Sequence, residues 1–211
     1  MPTFNSMPCL RRQGRTDALV EQVDLFPTLV QAATMHVSGG STILPHCPGD
    51  TAQSRSTALC TEGFSLIPLI SNATGGRWPR AAFSQFARGT SCCDCPDPES
   101  NPCCPCKGVG VSKGVHDHPI MGYTVRVDRY RYTAWVGFDQ TTAEPDWNAT
   151  VATELYAHHE ENYPIDFGVE HTNVIHDPAN KAVVAQLDKV LRQCGPRPDL
   201  CPPALLAGLV H

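Results

Sequence analysis

Cysteine is the residue with most chemistry to offer here. Six of the chain's 11 cysteines fall within SCCDCPDPESNPCCPCKG, residues 91–108. Cys92-x-x-Cys95 and Cys103-x-x-Cys106, seven residues apart, have the form of a four-thiolate zinc site, because zinc is held tetrahedrally by two such pairs. The central spacer is short and Cys93 and Cys104 are left over, so local disulfides, or a segment that belongs to no folded unit, remain open readings. His116-Asp117-His118 offers two imidazoles and a carboxylate but no third and fourth ligand at defined spacing. A solvated surface turn is expected there, and equally at His158-His159. Arg126 and Arg131 are the other pair of interest, since their charge could meet an anion.

These groups need elements to hold them. IMGYTVRVDRYRYTAWVGF, Ile120 to Phe138, combines period-2 patterning with β-branched and aromatic residues, and predicts a β-hairpin turning at Asp128-Arg129. Met121, Tyr123, Val125 and Val127 then share a buried face with Tyr130, Tyr132, Ala134 and Val136. The opposite face pairs Thr124 with Thr133, Gly122 with Trp135, and Arg126 with Arg131. Gly122 would leave room for the indole. Two arginines facing each other repel, so an internal carboxylate is expected to compensate them, with an anionic ligand as the alternative. Asp177 and Pro178 start a helix whose Val183, Val184, Leu187, Val190 and Leu191 repeat at helical spacing up to Gly195. Asp24 is expected to cap an earlier helix with Leu25, Leu29 and Ala32 or Ala33 as its packing stripe. Glu154 to Tyr156 reads as a short strand, and residues 36–62 as a loop.

With 41% hydrophobic residues, 211 residues can bury one real core. A net charge of −5 and the lack of a basic block argue against a nucleic-acid partner. No apolar run approaches the ~20 residues of a membrane span, so no membrane partner is expected. The first 15 residues carry basic and turn-forming residues without an apolar core, which makes them a disordered leader and not a secretory signal. The cysteine usage nevertheless suits an oxidising compartment. Both hold if the chain is the tail of a longer precursor.

The words IMGY, Arg126 and YRYT-x-WVGF resemble the C-terminal subdomain of the sulfatase family. VDLFPTL (Val23 to Leu29), Cys47…Cys60-x-x-Gly63, SLIPLI, AAFSQFAR and Glu154-Leu155-Tyr156 follow in the family's order. The resemblance covers residues 16–193 and fails at the Cys-rich insertion 91–108; residues 194–211 form a Pro-rich tail outside it. It implies an α+β fold, a small antiparallel sheet packed with helices, as in the alkaline-phosphatase-like sulfatases. It also implies a disulfide between Cys47 and Cys60, and N-glycosylation acceptors at Asn72 and Asn148 in exposed loops. The secretory pathway or lysosome follows as the implied location.

The chemistry that the resemblance implies is not carried by this chain. Sulfatases oxidise the cysteine of a Cys-x-(Pro/Ala)-x-Arg motif to formylglycine, beside a calcium ion held by aspartates. Cys194-Gly195-Pro196-Arg197 places its Arg one residue early, and Cys201-Pro202-Pro203-Ala204-Leu205 has none. No catalytic residue and no cofactor are expected here. The implied partners are the catalytic half of a sulfatase and, in the complete enzyme, a sulfated saccharide that Arg126 and Arg131 could face. The alternative function is a secreted cysteine-rich binding module, with zinc at Cys92, Cys95, Cys103 and Cys106.

Overall fold

The structure is a computed structural model that describes residues 16, 18–34, 44–71, 81–88, 120–158, 170–195, 201, 202 and 205. The cysteine cluster with Cys92, Cys95, Cys103 and Cys106, His116 to His118, His159 and Asn72 all lie outside the described residues. The chain divides into two compact units, residues 1–82 with 126–128 and 197–211, and residues 83–125 with 129–196.

In the first unit a 3-10 turn at Gln22–Asp24 leads into helix α1, Leu25–Thr34. Helices α2, Thr51–Ser56, and α3, Ile67–Ile70, follow. The expected cap at Asp24 is corrected: Glu21 takes the N-cap position and Asp24 is the third residue of the turn, closing a capping box. Asp24 is buried because its carboxylate also reaches across the chain. One oxygen accepts the Glu21 backbone N–H at 2.9 Å and the other accepts the Phe64 N–H at 2.8 Å. Thr28, one turn on, donates its hydroxyl to the Asp24 carbonyl at 2.6 Å and accepts the Leu66 N–H at 2.7 Å.

These anchors decide which way α1 faces. Residues 24, 27 and 28 point inward and Pro27 and Thr28 are buried, which rotates Leu25, Phe26 and Leu29 outward. The expected packing stripe is therefore inverted: Leu25 is 51% and Leu29 68% exposed. Hydrogen bonds to fixed backbone groups have overridden the apolar periodicity. Cys47 and Cys60 are disulfide-bonded, with Cα atoms 4.8 Å apart. His46 and Thr61 beside them form a β-bridge. Gly63 completes the segment because a Cβ there would collide with the Val23 carbonyl.

The sheet has four strands in the order β1-β2-β3-β4: β1 Ala81–Arg88, β2 Ile120–Val127, β3 Tyr130–Asp139 and β4 Glu144–Ala157. Strands β2 and β3 are the hairpin read from the sequence, with Asp128 and Arg129 between them. Met121, Tyr123, Val125, Val127, Tyr132, Ala134 and Val136 are all buried, whereas Tyr130, expected on the same face, is only half-buried at the start of β3. Thr124 and Thr133 hydroxyls lie 2.8 Å apart. A Cβ on Gly122 would stand 2.6 Å from Trp135 Cζ3, so only glycine admits the ring. Gly122→Val should displace the indole and lower stability by about 1–3 kcal/mol, the usual cost of overpacking, read by denaturant unfolding with Trp fluorescence.

Strand β4 corrects the expected short strand: it runs 14 residues antiparallel to β3. Pairing jumps from Val136↔Thr150 to Gly137↔Asp146, which leaves residues 147–149 as a bulge. Asn148 is exposed on it. Helix α4, Lys181–Cys194, is preceded by a 3-10 turn at Pro178–Asn180 that Asp177 caps through the Ala179 N–H at 2.9 Å. Its Leu187, Val190, Leu191 and Cys194 are buried. Tyr132 donates its hydroxyl to Asp188 at 2.9 Å, fixing α4 on the Tyr132 face of β3. Burial, then the Asp188 carboxylate, raises the Tyr132 phenol well above its ordinary range. Asp188 also meets Arg192 at 2.7 Å, and the Arg192 guanidinium lies over Trp147. Trp147 in turn tilts against Tyr123, whose phenol burial, then Glu144, pushes up to about 12. Cys194 and Cys201 are both disulfide-bonded, an outcome that the Pro-rich tail did not announce.

Candidate functional site

The face of β3 turned away from α4 gathers the polar chemistry of the second unit. Alternation along the strand puts Arg131, Thr133 and Trp135 on it, and the β3–β4 register sets Tyr156 beside Arg131 and Glu154 beside Thr133. Trp135 donates its indole N–H to Glu154 at 3.1 Å, and the Tyr156 hydroxyl reaches the other Glu154 oxygen at 3.4 Å. Desolvation, then Glu154, raises the Tyr156 phenol above its ordinary value. Arg88 of β1 lies 5.3 Å over the Trp135 ring, and Arg131 5.1 Å over Tyr156.

Glu170 closes this series. Its Oε1 stands 2.7 Å from Arg131 Nε and 3.1 Å from His158 Nε2. The Arg131 contact lacks the alignment of a directed hydrogen bond, so proximity of opposite charge holds the pair. The His158 contact is ionic only when the imidazole is protonated. The sequence expectation for His158 is corrected: it is 5% exposed, not a solvated surface residue. Its backbone N–H donates to the Arg129 carbonyl at 2.8 Å, which carries the side chain under the hairpin end.

Arg131 thus has the internal carboxylate anticipated for it. Glu170 lies beyond the whole of β4, too far along the chain to be identified as the partner from sequence. Arg126 is half-buried and is not a free cation either. Glu154, Glu170 and His158 were missed as members of one face. Arg131→Ala should remove the ion pair and the cover over Tyr156. Both partners are about one-third exposed, so solvent screening limits the loss to ~1 kcal/mol. Thermal melts should fall by roughly 2–4 °C, and an unchanged melting temperature would refute a stabilising pair.

The arrangement is a closed series of cations, rings and carboxylates, in which each charge has a neighbour. It can order the sheet face and present polar edges to a ligand. Among the described residues no group of three or more His, Cys, Asp or Glu side chains could hold a metal ion, so no calcium donor set is found on them.

The hairpin words of this chain are similar to those of the sulfatases, and comparison with known proteins finds the same likeness over most of its length. The chain is 32% identical over 149 residues to iduronate 2-sulfatase of Mus musculus, covering 67% of this chain and 23% of that protein. It is 32% identical over 165 residues to iduronate 2-sulfatase of Homo sapiens, covering 72% of this chain and 26% of that protein. The chain therefore spans about a quarter of the length of the curated relatives it matches. The phosphonate monoester hydrolase SpPMH from Silicibacter pomeroyi aligns in structure at a TM-score of 0.42 and 20% identity, over 87% of this chain and 26% of that chain. No family model matches.

Proposed function

We propose that this chain serves as the C-terminal portion of an iduronate-2-sulfatase-like sulfatase, and that by itself it hydrolyses no sulfate ester. The sequence identity to iduronate 2-sulfatase over 67% and 72% of the chain carries this reading. A sulfate ester needs a strong nucleophile and neutralisation of the charge that develops on the transferred group. The family's cysteine motif for the first is absent from this sequence. Calcium and formylglycine belong, in this proposal, to a catalytic half supplied by other residues, with a sulfated saccharide of the glycosaminoglycan type as substrate. Arg131 could contact that sugar only in competition with Glu170. Passage through the secretory pathway to the lysosome belongs to the same proposal, with glycans on Asn72 and Asn148 that an amidase specific for N-glycans would remove with a measurable loss of mass.

The test is turnover of 4-methylumbelliferyl sulfate and of a sulfated iduronide by the purified chain. The expected result is none. Activity that co-purifies with the chain and scales with its amount would overturn the proposal.

A further inference from the structure

His158 is a titratable side chain closed away from solvent. Only 5% of it is exposed, yet its Nε2 stands 3.1 Å from Glu170 Oε1, the same oxygen that lies 2.7 Å from Arg131 Nε. Neither nitrogen meets that oxygen as an aligned hydrogen bond, so the attraction depends on charge. An arginine stays charged throughout the physiological range, whereas a histidine gains its charge as pH falls from about 8 to 5. The imidazole is held back from following its proton into water, because His158 directly follows β4 and its backbone N–H is bonded to the Arg129 carbonyl. Among the described residues, the charged and titratable groups around it are Glu170 and Arg131, then Tyr156, whose ring lies under the Arg131 guanidinium, and Glu154, which the Tyr156 hydroxyl reaches. Asp128 and Arg129 of the hairpin turn and His171 beside Glu170 are exposed.

Glu170 also begins a segment that docks on β4. Three residues on, Asn173 and Val174 bond to Thr153 and Leu155, and those bonds involve no charge. We propose that His158 and Glu170 form an acid-fastened clasp: protonation of the imidazole closes the Glu170 end of segment 170–174 onto the end of β4, and deprotonation leaves that end to Arg131. An ion pair present only in the docked state raises the imidazole's pKa there above its value in the undocked state. The added stability is therefore complete below the undocked value and is lost as pH rises through the docked one.

The experiment follows the ring C–H resonance of His158 by NMR from about pH 8 to 5 in the full chain and in Glu170→Gln, with His158→Gln identifying the resonance by its loss. In parallel it measures amide protection of residues 170–174, corrected for the intrinsic pH dependence of exchange. Glu170→Gln should lower the midpoint of the His158 titration by about half a pH unit. By linkage the same half unit makes the protection of the segment in the parent about threefold greater in acid than above neutrality. In His158→Gln that protection should stay level across the range. A midpoint that Glu170→Gln leaves in place or raises would overturn the clasp. So would parental protection that ignores pH while the imidazole titrates. A rise in acid that persists in His158→Gln would overturn it as well, by assigning the response to another group such as the exposed His171 or His176. Should His158→Gln fail to fold, the midpoints of the parent and Glu170→Gln decide by themselves.

Discussion

Val125→Asp unfolds the sheet. Val125 is completely buried on β2. A carboxylate there would be taken out of water, and burying an uncompensated charge costs several kcal/mol. A domain has only about 5–15 kcal/mol in total, so most molecules should lose cooperative structure at 25 °C. Near-UV circular dichroism and tryptophan emission read the loss. Thr124→Ala is the control, since it removes only one hydroxyl of a part-buried pair. A Val125→Asp protein with parental near-UV spectra would show that the hairpin is not the core of its unit.

Asp24→Ala has the second largest expected effect, and acts on the first unit. The buried carboxylate satisfies two backbone N–H groups from distant parts of the chain, that of Glu21 just before α1 and that of Phe64 just before α3. Removing it strands both donors, and hydrogen bonds to charged groups contribute roughly 1.5–3 kcal/mol each. A loss of about 3 kcal/mol is expected from the same range. Hydrogen exchange at the Phe64 and Leu66 amides should accelerate strongly, while the β3 amides keep their parental rates. Unchanged exchange at Phe64 would mean that the carboxylate does not hold the two segments together.

The parts that sequence reasoning reached are those governed by short-range periodicity. The alternation of Ile120 to Phe138 placed most of the hairpin's buried face, Tyr130 excepted, and the glycine that admits Trp135. The Asp177-Pro178 start and the apolar spacing to Gly195 placed α4. What escaped depends on partners far along the chain. The orientation of α1 is set by Phe64 and Leu66, not by its own stripe. Strand β4 hid its length because Pro145, Asp146 and Asn148 are poor strand formers and the bulge interrupts the alternation. The carboxylate for Arg131 sits in a turn past residues 159–169, where no pattern points back to β3. His158 looked like a surface histidine because burial at a strand end leaves no mark in composition.

Asn173 bears on how this protein behaves in concentrated solution. Its Oδ1 accepts the Leu155 N–H at 2.9 Å, its Nδ2 donates to the Thr153 carbonyl at 3.4 Å, and the Val174 N–H donates to the Leu155 carbonyl at 2.8 Å. A side-chain amide and one backbone group therefore occupy the outer rim of β4 as a neighbouring strand would. A foreign strand approaching there finds the Thr153 carbonyl and both backbone groups of Leu155 already taken, which disfavours templated pairing at that end of β4.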